Sequence, residues 1–376
     1  MKKFSASVNE NQKVNFLFDD SKNLSGLSDI DFKKFKKIFI IFDQALKNSW
    51  VKEISEIIKK SKSELHLIPL KGIENIKSLR EVEKLLYFLE ESNCSKNDLI
   101  VSIGGGTILD LSAFVSSIYM RGVKLVMIPT TLMGQADASS AGKTCINGKQ
   151  TKNLVGSLFM PLYVYNNIHI LKTADKYSHR QGLSEIFKYG LLGSKKLIRY
   201  LEQYARDSLE NDPLLLKILI ETIKVRIKLR KIDPLVSNLG HTFGHAFESE
   251  SKNLVAHGDA ISAGIVCSLK LSLKKRYISK KLYSQLIKIM RDLNLNINID
   301  KSSNVNRVVN LMKKDKKSDG DQIGFVLLTD IGKIAKTKNK KFLFLDAKYV
   351  SSFLTELYKD KDFLVTNHWK QLIKDV

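Results

Sequence analysis

Residues 98–114 read DLIVSIGGGTILDLSAF, and the fold of the first half of the chain turns on how they are read. The short apolar run LIVSI ends on Gly104, Gly105 and Gly106, and a helical pattern follows at once. A short β-rich apolar run of this kind reads as a strand. Glycine has no Cβ, so backbone N–H groups beside it can approach a phosphate, and the positive end of the following helix favours an anion. The spacing is not GxGxxG, and on their own the three glycines read equally as a plain tight turn. Asp110, four residues beyond Gly106, is placed to hydrogen-bond a ribose or nicotinamide group.

Working outward, KIFIIFD, ELHLIPL and KLVMIPTT are further strand candidates, separated by the helical patterns NSWVKEISEIIKKS and SLREVEKLLYFLEES. Strands alternating with helices of that length predict a parallel sheet with helices on both faces. Beyond about residue 176 the long patterns are helical, SEIFKYGLLG, PLLLKILIETIKVRIKLRK, DAISAGIVCSLKLSLKK and KLYSQLIKIMRDL, with one late strand candidate, IGFVLLT. A chain of 376 residues is too long for one small core. The expected architecture is α/β, with a parallel-sheet nucleotide-binding domain over 1–175 and a mostly α-helical metal- and substrate-binding domain over 176–376.

Lys and Arg number 62 against 39 Asp and Glu, a formal net charge of +23. The lysines are scattered through DFKKFKK, EIIKKSKSE and KTKNKKF without aromatic interleaving, which reads as a solvated basic surface and not as a nucleic-acid site. Cys94, Cys145 and Cys267 are odd in number and far apart, so neither a disulfide framework nor a cysteine zinc site is expected, and a reducing, cytoplasmic compartment fits. MKKFSASVNENQKV has no apolar core after its lysines, and no later run approaches the ~18 apolar residues of a membrane span. The tail after residue 340 has no assigned role, and its His368 and Trp369 read as packing or surface residues.

Three of the seven histidines fall in NLGHTFGHAFESESKNLVAH, residues 238–257. His241 and His245 are four apart and share one face of a helix, while His257 opens the next apolar run, where a loop could fold it back. RQGLSEIFKYG sets Glu185 and Lys188 three apart. That spacing is either a surface ion pair or a carboxylate aimed at the histidines. One carboxylate and two imidazoles leave an open position on a divalent ion such as Zn²⁺, the arrangement of a catalytic centre. PTTLMGQADASSAGKT adds hydroxyls, Asp137 and Lys143 in a loop-like composition suited to phosphate and polyol contacts.

Taken in order, IGGGTILDLSAF, YMRG, PTTLMGQADASSAGKT, TKNLVG, GLSEIFKYG, NLGHTFGHAFE, HGDAISAG and DKKSDGDQIGFVLLTDIGK resemble the 3-dehydroquinate synthase family, the sugar-phosphate cyclases, over roughly residues 40–335. The resemblance implies an NAD- and metal-dependent lyase that turns a sugar phosphate into a carbocycle with loss of inorganic phosphate. It implies Glu185, His241 and His257 as ligands of zinc or cobalt, and His245 as a proton relay. Substrate positions fall on Lys143, Asn153, Lys188 and Asn238, with Asp137 beside them and Arg121 toward the phosphate. The NAD positions fall on Asp43, Glu74, Lys77, Gly104, Gly105, Gly106, Asp110, Thr130, Thr131 and Lys152. A homodimer with a small sugar phosphate as its partner is implied as well.

Two departures bear on the substrate. The segment before NLGHT is shorter than in the family, and Pro234 stands where the family has an arginine that helps to bind the substrate carboxylate; Arg230, Lys231 or Lys224 are the candidates to compensate. Ala141 replaces a usual glycine. Two substrates stay open, the carboxylated 3-deoxy-arabino-heptulosonate 7-phosphate leading to 3-dehydroquinate, or an uncarboxylated glucose 6-phosphate or sedoheptulose 7-phosphate leading to a cyclitol, as in 2-deoxy-scyllo-inosose synthase or a sedoheptulose 7-phosphate cyclase. Outside the family, the rivals are a metal-dependent alcohol or glycerol dehydrogenase, which would release NADH, and a basic nucleic-acid-binding protein on an old enzyme fold. GLSEIFKYG and DKKSDG argue against the first, and the intact metal set against the second.

Overall fold

The computed structural model describes residues 1–9, 12–140, 142–149, 152–252, 254–300, 304–336, 342–360 and 365–366. Ala141, His368 and Trp369 lie outside the described residues. The chain divides into two compact units, Met1–Gly182 and Leu183–Val376.

The first unit is built on β1 (Lys2–Asn9), β2 (Gln12–Asp19), β3 (Lys37–Asp43), α1 (Trp50–Lys59), β4 (Glu64–Leu70), α2 (Leu79–Glu91), β5 (Leu99–Gly104) and α3 (Gly106–Ile118). It continues through β6 (Lys124–Pro129), α4 (Leu132–Ala136), β7 (Lys143–Ile146), β8 (Val155–Leu158) and β9 (Tyr163–Asn167) into α5 (Lys176–Gly193). Seven strands form one sheet in the order β1-β2-β9-β6-β5-β3-β4, parallel except for the β1–β2 hairpin. Ile38, Ile40, Phe42, Leu99, Val101, Ile103, Val126 and Ile128 bury one face against Val51, Ile54 and Ile58 of α1. Phe39, Ile41, Ile100, Leu125 and Met127 are buried on the other face, which explains why these strands read as unbroken apolar runs. The β1–β2 and β7–β8 hairpins and β9 were not legible, because serine, asparagine and glycine break their patterns.

Asp19, at the end of β2, is a buried carboxylate that accepts four hydrogen bonds: from Ser21 N at 2.9 Å, Ser21 Oγ at 2.7 Å, Gly26 N at 3.0 Å and Tyr165 Oη at 2.5 Å. Burial alone would raise its pKa, but the donors outweigh burial and hold it below the usual carboxylate value.

The second unit holds the rest of α5, then α6 (Lys195–Arg206), α7 (Asp212–Ile232), α8 (His241–Glu250), α9 (His257–Lys274), α10 (Lys280–Asp292), β10 (Ile299–Asp300) and α11 (Val305–Lys313). Beyond these come β11 (Gln322–Phe325), β12 (Leu328–Asp330), β13 (Lys333–Ile334), β14 (Leu343–Asp346), α12 (Ala347–Lys359) and β15 (Val365–Thr366). IGFVLLT is therefore two short strands, β11 and β12, and not one. Helices α8 and α9 meet backbone to backbone: a Cβ on Gly264 would lie 2.1 Å from Gly240 O and 2.8 Å from Gly244 N. Gly240 caps α8 at φ +79°, a conformation that glycine adopts without strain. No helix among the described residues is long and apolar enough to cross a membrane.

Asp19→Asn removes the charge that those donors solvate, and we expect a loss of about 2 kcal/mol at pH 7. Because the folded pKa is depressed, this contribution is complete above the ordinary carboxylate pKa and disappears as pH falls through the folded value. Thermal melts of both proteins should therefore begin to converge below about pH 4 and coincide only below the folded pKa; a gap independent of pH would contradict the ionised Asp19.

Candidate active site

Three helix segments converge in the second unit. Glu185 and Lys188 lie one turn apart on α5, His241 is the first residue of α8, and His257 is the first residue of α9. Glu185 Oε1 lies 3.6 Å from His241 Nε2 and 3.5 Å from His257 Nε2, while its Oε2 pairs with the Lys188 ammonium. The Glu185 side chain is 1% exposed, so the surface ion pair that the sequence also allowed is excluded. Both carboxylate oxygens nonetheless lack a hydrogen bond of normal geometry.

These distances fit a metal ion. Two donors each about 2.1 Å from a tetrahedral zinc are roughly 3.4 Å apart. One ligand atom from each of Glu185, His241 and His257 lies within 4.8 Å of the others. The far nitrogens are anchored: His241 Nδ1 lies 3.1 Å from Leu239 O, and His257 Nδ1 lies 3.3 Å from Glu248 Oε2. Each imidazole thus turns Nε2 inward, as ligating histidines do.

The charges follow from this packing. Burial raises Glu185, but Lys188 above all, with His257, holds its carboxyl down at about 2. Burial, then the charges of Lys188, His245 and His257, keep His241 well below its usual value, a neutral donor. Burial lowers His257 too, yet the carboxylates of Glu185 and Glu248 beside it carry it up to about 10, although 42% of the side chain meets solvent. Without an ion His257 keeps a proton, which a metal must displace.

His245 stands apart from this set. Its ring is centred 5.0 Å from that of His241, and its side chain is 46% exposed. Partial burial and the charge of His257 hold it below the usual histidine value. Its Nδ1 is 4.0 Å from Asp315 Oδ2, and Asp315 in turn accepts from the fully buried Lys317 ammonium at 2.6 Å. Asn238 is buried, its carbonyl accepting the His241 N–H at 3.1 Å while its Nδ2 has no acceptor. Glu248, Asp315 and Lys317 escaped the sequence reading. For Glu248 there was a signal, since it lies seven residues after His241 on the same helical face.

In the first unit, Gly105 caps α3 and, having no side chain, makes no side-chain cap hydrogen bond to the helix's first N–H groups. Beside it lies a polar cluster. Lys77 Nζ donates to Asp110 Oδ2 at 2.8 Å and to Asn153 Oδ1, and Glu74 accepts from Thr107 Oγ1 at 3.2 Å and Asn147 Nδ2 at 2.9 Å. The Cys145 thiol donates to Asp110 Oδ2 at 3.3 Å and Asn153 Oδ1 at 3.1 Å. Burial, and next the Asp110 charge, push that thiol up to about 12, so it stays protonated. The structure thus gathers Glu74, Lys77, Asp110 and Asn153, and adds Cys145 and Asn147, which the sequence reading missed.

The remaining candidates are spread along the unit. Asp43 ends β3 and accepts the Ala45 N–H at 3.1 Å; Thr130 N–H donates to Gly104 O at 3.0 Å; Thr131 Oγ1 caps α4 through the Gly134 N–H at 3.1 Å. Asp137 follows α4, half-buried, while Lys143 and Lys152 are exposed. Arg121 is exposed in a left-handed turn, φ +62° after Met120 at +47°.

Among solved structures, the chain resembles 2-deoxy-scyllo-inosose synthase complexed with carbaglucose-6-phosphate, NAD⁺ and Co²⁺, with a TM-score of 0.86 at 22% identity over 94% of this chain and 100% of that one. It also resembles 2-epi-5-epi-valiolone synthase from Streptomyces hygroscopicus subsp. jinggangensis 5008 with NAD⁺ and Zn²⁺ bound, with a TM-score of 0.81 at 19% identity over 95% and 99%. At such identities the likeness is one of fold. Sequence carries the assignment further: the family models for the 3-dehydroquinate synthase N-terminal and C-terminal parts match residues 67–181 and 182–318. The 3-dehydroquinate synthase of Clostridium tetani (strain Massachusetts / E88) is 35% identical over 323 residues, 83% of this chain and 84% of that protein. The chain belongs to the 3-dehydroquinate synthase family.

Calorimetric titration with Zn²⁺ at pH 7, in two buffers of different ionisation enthalpy, should register about one proton released, from His257. Glu248→Gln should weaken Zn²⁺ binding about ten- to a hundredfold in a chelator competition. Unchanged affinity would remove Glu248 from the site.

Proposed function

We propose that the chain is a sugar-phosphate cyclase, an NAD- and divalent-metal-dependent lyase that eliminates phosphate and closes a carbocycle by an intramolecular aldol step, converting 3-deoxy-arabino-heptulosonate 7-phosphate to 3-dehydroquinate. What carries this reading is the buried Glu185 carboxylate, with two inward Nε2 atoms on one oxygen and Lys188 on the other, in a member of this family. Glu185, His241 and His257 would hold the ion, Zn²⁺ or Co²⁺. When bound, NAD⁺ takes a hydride from a secondary alcohol and later returns it, while the metal polarises substrate oxygens.

The chain's own groups do the rest. The first N–H groups of α3 bind the pyrophosphate of NAD, and Glu74, Lys77 and Asp110 hold its sugar and nicotinamide ends, with Asp43, Thr130, Thr131 and Lys152 completing the cofactor set. Lys188 donates to the alkoxide that develops as the alcohol is oxidised, and the new ketone acidifies the neighbouring C–H. That proton leaves and the C–O bond to phosphate breaks, with Arg121 and Lys143 as the cations assigned to the departing anion. After the hydride returns, the ring opens and the enolate attacks the carbonyl. His245, neutral near pH 7 and open to solvent, moves the protons, oriented by Asp315. Asn238, Asn153 and Asp137 hold substrate hydroxyls. The products are a carbocycle and inorganic phosphate, with no net redox change. We further assign a homodimer in the cytoplasm, where three free cysteines are at home.

A second reading rests on Pro234, which offers no guanidinium, and keeps the same chemistry with an uncarboxylated sugar phosphate leading to a cyclitol. Phosphate release with NAD⁺ and Zn²⁺ or Co²⁺, on 3-deoxy-arabino-heptulosonate 7-phosphate, glucose 6-phosphate and sedoheptulose 7-phosphate in parallel, decides between them. We expect phosphate from the first without accumulation of NADH. Phosphate from the others alone would transfer the assignment to a cyclitol synthase, and NADH without phosphate to a dehydrogenase. His245→Ala should slow phosphate release about a hundredfold or more while leaving bound metal unchanged. Loss of metal in that variant would show His245 to be a ligand and not a relay.

A further inference from the structure

We propose that Asn147 is a positioning residue that fastens Asn153, on the substrate side, to the Glu74–Lys77 segment, on the cofactor side, so that one hydrogen-bonded frame sets both contacts. The inference rests on the cyclase reading above and gives a role to a residue outside its ligand contacts.

Asn147 follows β7 directly and Asn153 lies two residues before β8, so both belong to the turn of one antiparallel hairpin, in which Ile146 faces Val155. The Asn147 side chain works in two directions. Its Oδ1 accepts the Asn153 N–H at 2.9 Å, and its Nδ2 donates to Glu74 Oε1 at 2.9 Å. Its backbone N–H donates to Lys77 O at 2.8 Å, so the residue grips both ends of the 74–77 segment. These partners leave no choice of residue type: the oxygen must accept from a backbone N–H while the nitrogen donates to a carboxylate, which only an amide does.

The hold matters because Asn153 is exposed and left-handed, with φ +53°. Asparagine reaches that conformation at lower cost than most residues, but an exposed side chain gains little from packing, and hydrogen bonds have to keep it there. The bond from Asn147 fixes its backbone. Its own Oδ1 accepts from the Lys77 ammonium and, at 3.1 Å, from the Cys145 thiol of the same hairpin. With the oxygen engaged twice, the Nδ2 hydrogens are the group left for a substrate hydroxyl. The same ammonium, on a side chain only 4% exposed, donates to Asp110 Oδ2 at 2.8 Å. One cation thus serves a cofactor carboxylate and a substrate amide, and Asn147 sets the spacing of the two chain segments that carry Lys77 and Asn153. Without the Asn147 amide, Glu74 Oε1 keeps only the Lys77 ammonium, 3.7 Å away.

The test uses the full-length protein, with NAD⁺ binding followed by calorimetry and phosphate release followed at saturating NAD⁺. Asn147→Ala should raise the Kd for NAD⁺ about tenfold and KM for 3-deoxy-arabino-heptulosonate 7-phosphate by a similar factor. Asn147→Asp keeps an acceptor for Asn153 but sets a carboxylate against Glu74, and should weaken NAD⁺ about tenfold or more. Glu74→Gln reverses the polarity of that contact, its amide donating to the new carboxylate. Adding Asn147→Asp in the Glu74→Gln background should therefore change the Kd by less than about twofold. A protein that had merely lost its fold would show no such rescue. NAD⁺ affinity unchanged in Asn147→Asp, a loss equal with and without Glu74→Gln, or an unchanged KM in Asn147→Ala would overturn the frame while leaving the cyclase reading intact. The rescue in a protein that releases no phosphate would uphold the grip of Asn147 on the cofactor side and remove the cyclase reading.

Discussion

A carboxylate taken almost wholly out of water must be answered by positive charge, and Glu185 sets that demand for the second unit. Lys188, one turn along the same helix, meets half of it. The other oxygen faces two imidazoles at distances too long for hydrogen bonds and right for a shared ion. Stability alone would be served as well by apolar side chains here, so a buried charge with two half-engaged partners is the mark of a site built to be completed by a ligand.

What holds the imidazoles around that oxygen is steric. Each of these two histidines opens a helix, and α8 and α9 can start side by side only because Gly240, Gly244 and Gly264 let their backbones touch. Any side chain at position 264 would drive the helices apart and separate His241 from His257. The far-side contacts, Leu239 O on one ring and Glu248 on the other, then fix the orientation of both rings. In the first unit the device is different: there a doubly buried sheet delivers a helix N-terminus capped by a glycine, and a network around Lys77 and Asp110 stands beside it.

Much of this was legible in the sequence, and the limits are physical. KIFIIFD, LIVSI and KLVMIP read as parallel strands because both of their faces are buried, which leaves no alternation. The β1–β2 hairpin did not, since KKFSASVN carries polar residues on an edge strand. Spacing alone pointed to His241 and His245 as a pair; that His257 and not His245 stands at the carboxylate follows from the Gly240–Gly264 contact, which no local pattern encodes. Glu248, Lys317 and Cys145 act through burial and through contacts that only the fold makes, and a linear reading could not weigh either.

The account stands on an ion held by Glu185, His241 and His257. X-ray absorption at the zinc edge of the protein loaded with one equivalent of Zn²⁺ tests it directly. The account requires a shell of two imidazole nitrogens and oxygen donors at about 2.0–2.2 Å, with one imidazole lost in His257→Ala. A sulfur donor at about 2.3 Å, or an oxygen-only shell unchanged in that variant, would contradict it.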